Sequence, residues 1–100
     1  MSAYMIVLAK IHDRDAFMNG YGPAAARLVE KFGGRYLLRA PGGLLLEGVI
    51  ADGQSAVISE WPDREAALRF WNSPEYAEVK KLRESIADCQ VVLFEAPKIA

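Results

Sequence analysis

The stretch Tyr4-Met5-Ile6-Val7-Leu8-Ala9-Lys10-Ile11 is apolar at almost every position, of strand length, and carries β-branched and aromatic side chains. It therefore predicts a first β-strand. Near the other end, Gln90 to Glu95 encloses Val91-Val92-Leu93-Phe94 and reads the same way, as the final strand. A strand with one wet face alternates apolar and polar residues, and these two do not. Both faces of the sheet that contains them thus require a cover.

The residues between these strands supply a cover for one face. Asp13 offers an N-cap oxygen, Asp15 puts negative charge in the first turn, and Phe17, Tyr21, Ala24, Leu28 and Phe32 recur at helical spacing. Gly20, Gly22 and Pro23 interrupt this helix, and Pro23 lacks a backbone donor, so a kink or restart is expected there. Gly33 and Gly34 end it. Arg35 to Ala40 predicts a second strand, with Leu44 to Ile50 continuing strand-like pairing after the Pro41-Gly42-Gly43 turn, and Ser55 to Trp61 predicts a third. Asp63 caps a helix carrying Ala66, Ala67, Phe70 and Trp71. Ser73 and Pro74 restart another, with a helical stripe at Tyr76, Val79, Leu82 and Ile86.

The order β, α, β, β, α, β predicts an α+β fold, a ferredoxin-like sandwich with one antiparallel four-stranded sheet. Right-handed crossovers place both helical layers on the same face. Nothing in the sequence is left to cover the second face, so the expected cover is a second copy of the chain in a homodimer packed sheet on sheet. The expected organisation is one domain over residues 1–96 and a C-terminal tail over 97–100, with Pro97 in the tail.

Composition removes several classes of function. Twelve basic and thirteen acidic residues give a net charge of -1, which provides no general field for nucleic acid. The run Met5 to Ala9 is too short to span a bilayer. These features predict a soluble cytoplasmic protein that binds neither nucleic acid nor membrane. Cys89 is the only cysteine, which excludes an intramolecular disulfide within these residues and a zinc site built on cysteine pairs. Phosphate loops, dinucleotide fingerprints and hydrolase or metalloprotease motifs are also missing, so the reading is free of cofactor and metal.

Several words of the sequence resemble a known family. Asp13 with Tyr21, Gly33-Gly34-Arg35-Tyr36-Leu37-Leu38-Arg39, Leu46-Glu47-Gly48 and Trp71-Asn72-Ser73-Pro74-Glu75-Tyr76 together resemble the dimeric α/β-barrel superfamily. Within it, they are similar to a bacterial family named domain of unknown function 1330. The resemblance spans Tyr4 to Ala96 and implies a ferredoxin-like subunit paired into a barrel, with a cleft between sheet and helices. It does not imply one reaction, because the superfamily includes cofactor-free monooxygenases, haem-degrading enzymes, isomerases, dismutases and ligand-binding modules. The haem-degrading members need a helix-borne histidine that this sequence lacks.

The candidate site residues follow from residue chemistry. His12 is the single histidine, at the junction of the first strand and helix. It is a candidate acid or base, or a solvated junction residue. Arg35 and Arg39 are expected to share one strand face with Leu37 between them, and to orient a carboxylate or to pair with Glu47 or Glu60. Tyr21, Trp61, Trp71 and Tyr76 are candidates for an aromatic pocket, with the Tyr21 hydroxyl as its polar handle, or else for ordinary packing. Asn72, Ser73 and Glu75 are assigned to structure, with Ser73 as a helix cap and Glu75 favoured by the helix dipole, and Cys89 to a small buried apolar role. The resulting expectation is a homodimer with a sheet–helix cleft for a small aromatic or carboxylated organic molecule, acting without a cofactor in the manner of a monooxygenase or isomerase. In it, His12 and Tyr21 are the catalytic candidates and Arg35, Arg39, Trp61 and Trp71 the ligand-binding ones. The alternative is a non-catalytic ligand-sensing or assembly module.

Overall fold

The structure, a computed structural model, describes residues 1–97 and 99. Strand β1 runs Ser2–Ile11, β2 Arg35–Ala40, β3 Ser55–Trp61 and β4 Ala87–Ala96. They form one antiparallel sheet in the order β2-β3-β1-β4, so β1 and β3 are central. Between β1 and β2 lie α1 (Arg14–Ala16), a π-helical turn (Phe17–Tyr21) and α2 (Gly22–Lys31). Between β3 and β4 lie α3 (Arg64–Trp71) and α4 (Pro74–Lys80). This is the expected ferredoxin-like α+β sandwich, with the first strand two residues longer at its start than the sequence suggested and the last strand three residues longer at its start and one at its end. The expected tail, 97–100, lies partly outside the described residues.

The caps are those the sequence offers. The Asp13, Asp63 and Ser73 side chains accept from the backbone N–H groups of Ala16, Ala66 and Tyr76. Alternation along β1 separates the two sheet faces. Ala3, Met5 and Ala9 are buried beneath the helices, where Ala3 and Met5 join Val29, Trp61, Ala66, Ala67, Phe70 and Tyr76 in one core cluster. Tyr4, Ile6 and Leu8 point to the opposite face, where they pair in register with Glu60, Ile58 and Ala56 of β3 and with Phe94, Val92 and Gln90 of β4. Leu38, Val92 and Phe94 on that face are exposed to solvent. The apolar open face inferred from the unbroken strand pattern is therefore real.

One expected element is absent and another is shorter than expected. Residues 44–50 form no strand. Positive φ at Gly42, Gly48, Ala51 and Gly53 breaks any extended register, and the segment closes on itself through Gly43 N–H to Gln54 O and Gly53 N–H to Gly43 O, both 2.8 Å. Its Leu44, Leu46, Val49 and Ile50 are left exposed. The helical stripe beyond Val79 also fails, because α4 ends at Lys80 and residues 81–86 follow as successive turns. Leu82 and Arg83 donate backbone N–H to Val79 and Lys80, and Ile86 donates to Arg83. These three-residue steps turn Leu82 outward, 49% exposed, and Arg83 inward, 8% exposed.

Candidate functional site

The interruption at Gly20-Tyr21-Gly22-Pro23 shapes the site. Gly22 donates its N–H to Phe17 O, five residues back, so the turn before α2 is widened into a π-helix. Pro23 has no N–H to continue the ordinary ladder, and the wider turn absorbs that loss. Tyr21, on the widened turn, lines a cavity of about 530 Å³ between the sheet and the helices. Met5, Val7, Val57 and Val91 form its apolar floor on the sheet, while Phe17 and Trp71 contribute aromatic wall. This volume suits a small organic molecule.

The cavity's charge is one-sided. Arg14, Arg39 and Arg83 line it, and none of the described lining residues is Asp or Glu. None of the three forms an ion pair among the described residues. Arg14 reaches Ser55 Oγ at 3.5 Å, and Arg39 lies over the Tyr36 ring at 4.9 Å. Arg14 and Arg39 are exposed, at the open side. Arg83 is buried, 3.5 Å from the Tyr76 hydroxyl and 5.6 Å above the Tyr21 ring. The Tyr21 and Tyr76 oxygens are 2.8 Å apart.

These contacts set the protonation states. Burial pushes the Tyr21 phenol well above its ordinary value, and the neighbouring Tyr76 adds to the rise against the opposing Arg83 charge. Burial raises Tyr36 too, with Arg39 opposing. For Arg83, burial works downward, but the two tyrosine oxygens and Cys89 outweigh it and hold the guanidinium above its ordinary value. Burial likewise pushes the Cys89 thiol up, with Arg83 opposing. The site thus holds neutral phenols beside fixed positive charge. Because the unfolded phenols ionise near 10.0 while the folded ones resist, the unfolded chain binds fewer protons above that pH. Their contribution to stability is therefore complete below about pH 10 and declines as pH rises past it. Urea midpoints should fall between about pH 8 and about pH 11, and Tyr21→Phe should fall less steeply.

The structure divides the candidates. Tyr21, Arg39, Trp71 and Tyr76 meet at the cavity. His12 does not line it, and its Nε2 sits 2.9 Å from Asp88 Oδ2 on the surface joining the ends of β1 and β4. Trp61 is also away from the cavity, 1% exposed in the core with its Nε1–H donating to Ser59 Oγ at 2.9 Å. The expected shared face of Arg35 and Arg39 is corrected. A β-bulge between Tyr36 and Leu38 shifts the register, so Arg35 pairs opposite Glu60 on the open face while Arg39 falls opposite Val57 on the cavity face. Arg35 forms the ion pair with Glu60 that was its alternative reading, with Nε to Oε1 at 2.8 Å. Ser73 caps α4, and Glu75 joins Lys31 of α2 at 2.9 Å. Cys89 lies within β4 and lines the cavity half-buried.

Sequence reasoning missed Arg14, Tyr36 and Arg83. The bulge hid Tyr36, and Arg83 was masked by an apolar stripe that pointed to a regular helix. No group of His, Cys, Asp and Glu among the described residues could hold a metal ion, and no helix among them is long and apolar enough to cross a membrane.

No functionally curated protein matches the sequence. Among solved structures, a protein of unknown function from Rhodopseudomonas palustris is similar, with 21% identity, a TM-score of 0.78, and coverage of 98% of this chain and 84% of that one. SnoaB, a cofactor-independent oxygenase from Streptomyces nogalater, shares 16% identity with a TM-score of 0.71 over 98% of this chain and 95% of that one. A dimeric ferredoxin-like protein of unknown function from Bacteroides fragilis shares 19% identity with a TM-score of 0.62, covering 95% and 96%. At these identities the likeness is one of fold. The family described as Domain of unknown function (DUF1330) matches residues 2–97, nearly the whole sequence, and the chain belongs to that family.

Proposed function

We propose that this protein is a homodimer whose subunits each bind a small aromatic or carboxylated organic molecule in the cavity between sheet and helices. The observation that carries this reading is the cavity's composition, an apolar and aromatic lining whose charged groups among the described residues are three arginines. An apolar body gains by burial against Val7, Val57, Val91 and Trp71. A carboxylate gains from guanidinium groups that no internal acid neutralises. Arg39 and Trp71 act in ligand binding and Tyr21 donates to the ligand. His12, Arg35 and Trp61 lie outside the cavity and play no part in this reading. Pairing is supported by the dimeric Bacteroides fragilis structure of the same fold, and the open sheet face with Leu38, Val92 and Phe94 exposed is the apolar surface available for it. The cofactor-independent oxygenase of the same fold makes oxygenase chemistry the first activity to assay once a ligand is known.

The test is a native mass spectrum with 2-naphthoate as probe. Two chains carrying two probes are expected, and Arg39→Met should weaken binding about tenfold, the loss of one charge-assisted contact. Absence of any complex at millimolar probe overturns the binding reading. A bare monomer overturns the pairing.

A further inference from the structure

The buried end of the cavity holds three polar groups whose hydrogen-bonding capacities and unequal burial favour one arrangement. Tyr76 is 2% exposed, and its hydroxyl oxygen has two polar neighbours among the described residues, Tyr21 Oη at 2.8 Å and Arg83 Nη2 at 3.5 Å. A guanidinium only donates, whereas a phenol donates once and accepts. Arg83 therefore donates to Tyr76. Both tyrosines line the cavity, but Tyr76 is 2% exposed and Tyr21 is half-buried, so a hydrogen not used between them reaches the open cavity more readily from Tyr21 than from Tyr76. The arrangement this favours has Tyr76 donating to Tyr21, and Tyr21 left to donate its own hydrogen into the cavity.

Resting on the cavity-binding reading above, we propose that Arg83, Tyr76 and Tyr21 form a one-way hydrogen-bond relay that makes Tyr21 an obligatory donor, so that the site selects molecules presenting a carbonyl, enolate or carboxylate oxygen at its buried end. Arg83 is a positioning residue in this relay. Its fixed charge polarises Tyr76, which strengthens the hydrogen that Tyr21 offers, because successive hydrogen bonds reinforce one another. The apolar remainder of the ligand then extends over Val7, Val57 and Val91 towards the exposed Arg39. Ammonium-terminated analogues, which carry no lone pair for Tyr21 and face the fixed charge of Arg83, are rejected.

The probes are 2-acetonaphthone, which carries one acceptor oxygen, and naphthalene, which carries none. The wild-type protein should bind 2-acetonaphthone about tenfold more tightly than naphthalene, the equivalent of one hydrogen bond. The bound ketone's C=O stretch should shift to lower wavenumber. Tyr21→Phe should abolish both the preference and the shift. Arg83→Gln, which keeps a donor but removes the charge, should reduce the shift in the wild-type background and add nothing in Tyr21→Phe. Tyr76→Phe cuts the same relay at its middle and serves if Arg83→Gln does not fold. An undiminished preference in Tyr21→Phe, or additive losses from Tyr21→Phe and Arg83→Gln, overturns the relay. Equal binding of the two probes overturns it while the cavity reading stands, and failure of both to bind overturns the cavity reading and the relay together.

Discussion

Trp61→Ala should destabilise the protein by about 3–5 kcal/mol, the loss expected when a large buried aromatic side chain is truncated and its cavity relaxes only in part. Trp61 ends β3 at 1% exposure, stacks on Phe70 with ring centroids 5.0 Å apart, and satisfies its ring N–H on Ser59. Its packing also accounts for the glycine at position 34, where an added Cβ would lie 2.9 Å from three atoms of the Trp61 ring. Removing the indole thus loses contacts to α3 and to the turn before β2 at once. Guanidinium denaturation at fixed protein concentration reads the loss, with Trp61→Phe expected to retain more than half of it. A change under 1 kcal/mol would show that the core does not depend on this residue.

In the proposed dimer, Ile6→Glu should convert the pair to monomers, raising the dimer Kd at least about a hundredfold, because the interface would then enclose unpaired carboxylates from both copies. Ile6 stands at the centre of the open face, in register with Ile58 on one side and Val92 on the other. It is outside the core cluster beneath the helices, so the subunit should remain folded. Sedimentation velocity together with circular dichroism separates the two effects. A variant that stays dimeric at micromolar concentration would remove the sheet face as the pairing surface. The nearby Arg35–Glu60 pair lies on the same face, and its charges are matched, which lets them approach an apolar interface at lower cost than an unpaired glutamate.

Much of the fold was legible because its signals are local. The caps at Asp13, Asp63 and Ser73, the break at Pro23 and the unbroken apolar run of β1 are each decided by a residue's own backbone chemistry or by its near neighbours. Where apolar pattern met no surface in the chain, the reading failed. Residues 44–50 look like a strand but pair with nothing, since positive φ at Gly42 and Gly48 turns the chain away from the sheet. Likewise Val79, Leu82 and Ile86 have helical spacing, yet the turns after α4 follow the burial of Arg83.

The site was legible only in part. Tyr21 stood out through the glycines and proline around it, and Arg39 through its place on a covered strand. The value of Arg83 could not be read from its neighbours Lys81, Leu82 and Glu84. Nor could His12 be separated from the cavity without the position of Asp88, seventy-six residues away in sequence.

By itself, then, the sequence determined the order of strands and helices, the helix ends, and a sheet apolar on both faces, because these depend on periodicity and on interactions within a few residues. Only the tertiary structure decided which arginines share the cavity and that its two tyrosine hydroxyls meet. One residue inserted at the β2 bulge reverses every side chain beyond it. The meeting of Tyr21, Tyr76 and Arg83 joins elements far apart in sequence that packing alone brings together.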